Sequence, residues 1–157
     1  MIELYTGQLD AARARIDELE QLTVLEGLVF HRSWVMALRA HVRRHTGEHH
    51  AAWADAAGAL TSAVKLPAWS TAVEAFETLA GLAVDAGEYD KAGRLFGAGR
   101  HLRDDSGHEL CLSTRDADST HAQAVLGKER FVKLYEEGRS FSVDKAVDYV
   151  GLEGGSL

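Results

Sequence analysis

Residues 72–103 read AVEAFETLAGLAVDAGEYDKAGRLFGAGRHLR, and this stretch decides the fold. On both sides of Gly87, apolar and small side chains recur at steps of three and four residues, the spacing of one helix face. These side chains are Val73, Phe76, Leu79, Ala80 and Ala83 before the glycine, and Tyr89, Ala92, Leu95, Phe96 and Leu102 after it. Glycine tolerates the positive φ that ends many helices. The stretch therefore predicts two helices joined as a hairpin at Gly87.

The turn at Gly87 occurs twice more. Gly7, Gly47 and Gly87 are 40 residues apart, each is followed by Glu or Gln, and each has an alanine five residues later. A constant period of this length is typical of arrays of repeated helical units. The alanine suits a position where two helices cross closely beside a tight turn. We therefore expect an all-α fold of stacked hairpins, with repeats around the three glycines.

Composition narrows the class of protein. The chain has 157 residues, of which 46% are apolar and 26% charged, with one proline, which is ordinary for a helical globular domain. The net charge of −7 argues against direct binding of nucleic acid. Cys111 is the single cysteine, so an internal disulfide is excluded and a reducing compartment fits. The start lacks the apolar segment of a signal peptide, and no apolar run reaches the length of a membrane span. We expect a cytoplasmic protein without membrane contact.

The domain organisation follows from the helical pattern. We predict one helical-repeat domain over residues 1–150 and a flexible, linker-like tail over residues 151–157. The predicted helices span residues 8–22, 27–46, 48–65, 72–86, 88–103, 114–126, 129–137 and 143–150. The 40-residue period breaks after the fifth of these, so the helices over residues 114–150 form a separate C-terminal group.

The first repeat predicts self-association. A helix preceding Gly7 is almost wholly missing, so we expect the chain to be a piece of a longer protein. Its apolar stripe consists of Leu9, Ala12, Ile16 and Leu19. Because the next hairpin would cover only part of this stripe, we expect a homodimer through residues 1–22, or fraying of that helix in a monomer.

The repeat resembles the tetratricopeptide motif with lengthened helices. The motif's large and small positions are occupied by Phe76, Leu79, Ala80, Ala92, Phe96 and Gly99. In the first repeat, Ala12, Ile16 and Leu19 match the motif's second helix. The period is 40 residues rather than 34, and the terminal proline is absent. The resemblance implies a tetratricopeptide-like helix-hairpin superhelix, an α-solenoid.

A second resemblance covers residues 75–150, which are similar to the end of the helical-repeat region of actinobacterial LuxR-type transcriptional regulators. Some of those regulators also carry an adenylate-cyclase-like module. The matching pieces are residues 79–83, 92–98, 126–127, Phe131, 137–139 and 142–147. In such regulators an ATPase core precedes the repeats and a helix-turn-helix domain follows them. The chain contains neither a GxxxxGK[ST] phosphate loop nor a helix-turn-helix, so neither ATP hydrolysis nor DNA reading is assigned to it.

These resemblances imply a sensor or scaffold domain that is not an enzyme and that binds a protein or a small-molecule effector. A stand-alone adaptor that binds a partner peptide is the alternative. In such arrays the first helix of each pair lines the ligand-binding face. The candidate ligand-binding residues on this face are Trp34, His41, Arg44, His45, Glu74 and Glu77. One wall would be basic and aromatic and the other acidic, which suits a peptide or a polar effector. In the alternative interpretation, the charges pair with one another or are solvated.

The histidines and arginines of this region suit two other chemistries. His41 and His45 have a spacing that can hold a metal on a helix, and His49 and His50 lie just past the turn. Glu48 is the only carboxylate or cysteine nearby in the sequence, so we predict no metal and no cofactor. Arg39, Arg43 and Arg44 suit the end of a helix, where the dipole favours cations, with a nucleic-acid patch as the alternative.

Cys111 and His108 suggest a nucleophile and its base only weakly, because they fall in an irregular loop. We expect Cys111 to be a small buried apolar group and predict no catalytic residue.

Overall fold

A computed structural model describes residues 8–107 and 114–153. Within these residues the chain forms eight α-helices and no strand, which confirms the all-α class. The helices are α1 (Leu9–Leu25), α2 (Val29–His45), α3 (His49–Lys65), α4 (Trp69–Asp85), α5 (Tyr89–Ser106), α6 (Arg115–Leu126), α7 (Lys128–Arg139) and α8 (Val143–Glu153). Every boundary lies within three residues of its predicted position, and α8 continues three residues beyond residue 150.

The links between helices repeat every 20 residues, half the predicted period. Gly27, Gly47, Gly87, Gly107 and Gly127 all have a positive φ, between 65° and 81°. In the first four links, the residue after the turn position donates its N–H to the carbonyl five residues earlier, as in a Schellman motif. These bonds are Leu28 to Thr23, Glu48 to Arg43, Ala68 to Ala63 and Glu88 to Ala83, at 2.8–2.9 Å. Gly47 and Gly87 are therefore equivalent, as predicted, while Gly7 lies outside the described residues.

Pro67 occupies the one position in this series that is not glycine. Its φ is 27°, whereas the pyrrolidine ring holds proline near −65°. Proline also lacks the N–H that Gly47 and Gly87 donate to Arg44 and Val84 at 3.2 and 3.0 Å. The link between α3 and α4 therefore keeps the repeat geometry with an unsuited residue.

We expect Pro67→Gly to stabilise the domain. Strain at such a position costs about 1–3 kcal/mol, while the extra freedom of glycine in the unfolded chain costs about 0.4–1 kcal/mol. The net effect should raise Tm by a few degrees in a calorimetric scan. Pro67→Ala is the matched control and should gain less, because a Cβ disfavours positive φ. A lower Tm for Pro67→Gly would contradict this account of the link.

The core lies between the paired helices. Phe76, Leu79, Leu82, Leu95, Phe96 and Phe131, all predicted to be buried, are each at most 6% exposed. The alanines five residues after two of the turn glycines, Ala52 and Ala92, are fully buried. Consecutive helices from α1 to α7 pack on one another, and α2 also packs on α4. Small side chains at the crossings are therefore what lets neighbouring helices approach.

The last three helices pack on different members of the first five. α6 packs on α4 and α5, α7 runs along α5, and α8 contacts α3 and α5. The contact of α5 with α7 includes a close approach of the two backbones. A Cβ on Gly97 would lie 2.0 Å from the Tyr135 carbonyl oxygen, and a Cβ on Gly138 would lie 1.9 Å from that of Arg94. Glycine at both positions is thus a steric requirement of this contact.

We expect Gly97→Ala to destabilise the domain by about 1–3 kcal/mol, because the backbone of α7 must move away. This cost outweighs the gain of about 1 kcal/mol that alanine brings to a helix interior. Gly58→Ala is the matched control, since the added Cβ would meet only the terminal methyl of Met36. Urea denaturation should show Gly58→Ala at or above wild-type stability, and equal stability for both variants would contradict the proposed backbone contact.

The apolar stripe of α1 is largely covered by α2. Ala12 and Ile16 are buried in a cluster with Val35, Leu38 and Val42, and Leu9 and Leu19 are half-buried. The exposed apolar residues lie at the end of α1 and in the following link: Leu22, Val24, Leu25 and Leu28. A homodimer through residues 1–22 stays a prediction, and the end of α1 is the described part that offers it uncovered apolar surface. No helix in the described part of the chain has the length and apolar character needed to cross a bilayer.

Candidate functional site

Arg44, at the end of α2, is the centre of the candidate site. Its side chain is 5% exposed and binds two carboxylates from two other helices. Towards Asp85 on α4, Nε and Nη2 donate at 2.6 and 3.0 Å. Towards Asp118 on α6, Nη1 and Nη2 donate at 2.7 and 2.9 Å, and Nη1 also lies 3.2 Å from the Thr114 hydroxyl. Paired bonds of this kind are the strong geometry of a guanidinium, so Arg44 ties three helices together.

Gly81 makes room for this guanidinium on α4. A Cβ at Gly81 would lie 2.0 Å from Nη1 of Arg44. A glycine in a helix interior costs about 1 kcal/mol relative to alanine, so its presence here has a packing reason. Gly81 allows Arg44 to lie against the backbone of α4 between its two carboxylates.

His41 and His45 lie beside Arg44 on the same helix. Their rings meet edge to face, with centroids 4.5 Å apart. The pKa of His41 is lowered to about 4, mainly by burial and also by the nearby His45 and Arg44. Burial and the charge of Arg44 also lower the pKa of His45. Both rings are therefore neutral at pH 7, and within the described residues no group of three metal-binding side chains converges.

Glu77 and Glu74 form the acidic part of the site on α4. Glu77 is 3% exposed and pairs with Arg103 of α5 and with Arg115 of α6, whose Nε lies 3.8 Å from Glu77 Oε1. Burial raises the pKa of Glu74 to about 7, helped by the charge of Glu77 and opposed by Arg103. Oε2 of Glu74 is buried without a hydrogen-bond partner among the described residues.

The structure brings together five of the six predicted site residues in two neighbouring groups. His41, Arg44 and His45 form one group, and Glu74 and Glu77 form the other. Both groups meet α6, because Arg115 pairs with Glu77 and Asp118 pairs with Arg44. Trp34 is different, since it packs half-buried against the apolar cluster of α1 and α2. That Trp34 shares one surface with the other five residues stays a prediction. The predicted alternative, pairing of the charges, is observed for Arg44 and Asp85.

Arg39 and Arg43 of α2 are also bound internally. Arg39 binds Asp55 through two bonds of 2.8 and 2.7 Å and also pairs with Glu20, and Arg43 reaches the same Asp55 at 2.5 Å. A nucleic-acid patch on α2 would require these charges to be free. Sequence reasoning missed Asp55, although a lone carboxylate among the alanines of α3 (HHAAWADAAGAL) was the signal. His108 and Cys111 lie outside the described residues.

Comparison with known proteins adds a regulatory context. Two mycobacterial proteins described as "putative HTH-type transcriptional regulator", from Mycobacterium bovis and Mycobacterium tuberculosis strain H37Rv, are each 30% identical to the chain over 152 residues. The match covers 95% of the chain and 17% of each relative, so the chain spans about a sixth of their length. No protein-family profile and no solved structure matches the chain. The chain is thus a homologue of one region of proteins described as transcriptional regulators.

The raised pKa of Glu74 predicts a pH-dependent stability. The folded state holds the Glu74 proton more tightly than the unfolded state, whose pKa is near 4.5. Stability from this group is therefore complete below pH 4.5 and is lost as the pH rises through about 7. We expect Glu74→Gln to stabilise the domain by about 1–3 kcal/mol at pH 8 and to have no effect at pH 4.

Glu77→Gln is the matched control in the same denaturation series. Removing a partner from a buried ion pair should destabilise the domain by about 3–5 kcal/mol at pH 8. Equal responses of the two variants would show that the two carboxyl groups share one environment, against the structure.

Proposed function

We propose that the chain is the sensor or scaffold domain of a bacterial LuxR-type transcriptional regulator, folded as a tetratricopeptide-like α-solenoid. In this proposal it binds a protein or small-molecule effector in the cytoplasm and carries out no catalysis. DNA is read by another part of the regulator. The observation that carries the proposal is the similarity of 95% of the chain to one region of proteins named as HTH-type regulators.

The candidate site supports a binding role. Arg44, His41 and Glu77 are buried polar or charged residues on adjoining helices. Burying ion pairs contributes little net stability, and apolar replacements are often as stable. A cluster of such residues therefore suits recognition of a partner better than it suits packing.

The solenoid part of the proposal rests on the turn series. Helices α1 to α4 each contain 17 residues and end in equivalent links. Equal units joined by equal turns stack with a constant rotation, which is how repeat proteins build extended binding faces. Signalling then requires that the effector bind two states of the regulator with different affinity.

Chromatin immunoprecipitation of the tagged protein, expressed from its own locus, tests the regulator. We expect enrichment at a limited set of promoters, because the domain would be carried by a DNA-reading protein. The purified chain alone should not shift the same promoter fragments in a gel, given its net charge of −7.

The alternative is a stand-alone adaptor that binds a partner peptide, and it is favoured by the presence of a buried cation, Arg44, and a buried anion, Glu77, on adjoining helices. If the protein is an adaptor, chromatin immunoprecipitation should show no promoter enrichment even when the chain is abundantly expressed. That result would overturn the regulator proposal while leaving a binding role intact.

A further inference from the structure

Helix α6 is attached to the domain mainly by polar contacts. It buries a single residue, Ala122, and packs Leu126 partly buried against the core, whereas the neighbouring α4 buries thirteen of its seventeen residues. Gly127, which follows α6, has a positive φ. A helix with so little apolar burial gains little from the hydrophobic effect, so its position depends on the contacts at its polar side chains.

Polar contacts join α6 to three of the underlying helices, α2, α4 and α5. Asp118 binds Arg44 at 2.7 and 2.9 Å, and Arg115 lies 3.8 Å from Glu77. His121 approaches Tyr89 of α5, with 3.4 Å between Nε2 and the hydroxyl oxygen. Each contact involves a charged or polar group on the underlying helices.

The two charged contacts have a defined order along α6. Arg115 and Asp118 are three residues apart and so lie on one face of the helix. The underlying surface offers the complementary pair, with Glu77 on α4 below the cation and Arg44 on α2 below the anion. A helix that binds this surface must therefore present a cation and, three residues later, a carboxylate.

We propose that the surface of α2 and α4 beneath α6 is a binding site for an amphipathic helix of a partner protein, which presents an arginine three residues before an aspartate and displaces α6. This inference rests on the proposed binding function and names the class of partner. In the absence of that partner, α6 is the occupant. The peptide segment of a partner would make the same two ion pairs that α6 makes now.

Exchange of α6 for a partner helix avoids leaving buried charges without their partners. If α6 simply left, Arg44 would lose one of its two carboxylates and Glu77 one of its cations, and unpaired buried charges are costly. A partner that supplies both charges in the same register restores both pairs, whereas an apolar or singly charged segment restores at most one. The site therefore selects partner helices by the order of the charged residues along them.

The test uses a fluorescein-labelled peptide of residues 114–126, TRDADSTHAQAVL, as the probe. Its binding to the full chain is compared with binding to the double variant Arg115→Ala/Asp118→Ala, in which α6 no longer makes the two ion pairs. Occupancy by α6 lowers the apparent affinity of wild type by the fraction of time the site is open. We therefore expect the double variant to bind the peptide at least about tenfold tighter than wild type does.

A peptide with its arginine and second aspartate exchanged, TDDARSTHAQAVL, is the matched control, since its composition and net charge are unchanged. It should bind at least about tenfold more weakly than the native order. Equal binding of the two peptides would overturn the proposal, as would no binding to a double variant whose circular dichroism shows it folded. Both results are independent of the chromatin immunoprecipitation that tests the regulator proposal.

Hydrogen exchange on the wild-type chain keeps the proposal falsifiable if the double variant does not fold. The amides of α6 should exchange faster than those of α5, and adding the native peptide should speed them further. Exchange of α6 amides as slow as that of α5, unchanged by the peptide, would show α6 to be a permanent part of the fold and would overturn the proposal.

Discussion

The positive-φ link after each of the first four helices is the constraint on which the rest of the structure depends. Because a Schellman turn closes α1 to α4 at the same point, these helices have equal lengths and are followed by equivalent links. Equal geometry brings the same positions to each crossing, and those positions hold small residues such as Ala52 and Ala92. Packing in the core therefore follows from the turns, and Pro67 is kept in a turn that suits glycine because its neighbours on both sides determine the register.

The helices could be predicted from local sequence, since apolar spacing and turn residues act over only a few positions. The 20-residue unit was missed because Pro67 interrupts the series of glycines, so only the 40-residue repetition was visible. The approach of α7 to α5 could not be predicted, because it depends on Gly97 meeting Gly138 and the backbone beside each, 41 positions apart in the sequence. Nothing in the local pattern of either glycine distinguishes a steric requirement from a flexible position.

The candidate site also divides into features that local sequence could predict and features that depend on distant contacts. Helical spacing correctly placed His41, Arg44 and His45 together on α2, and Glu74 and Glu77 together on α4. The place of Trp34 on the ligand-binding face stays a prediction, and its side chain packs half-buried against the apolar cluster of α1 and α2. Helical spacing could not reveal the partners Asp118 and Arg115, because Arg44 and Asp118 are separated by 74 residues and by the break in the repeat.

The contacts of α7 and α6 with the earlier helices differ in how much they depend on the backbone. Where α7 meets α5, ion pairs such as Arg94 with Glu137 accompany a close backbone approach at Gly97 and Gly138, which another segment could not reproduce by charge alone. Where α6 meets α2 and α4, ion pairs form the contact, and a group of the same charge in the same place can restore them. The repeat units thus provide a stable frame, and the surface of α2 and α4 beneath α6 is the part of that frame that we propose as the binding site for a partner helix.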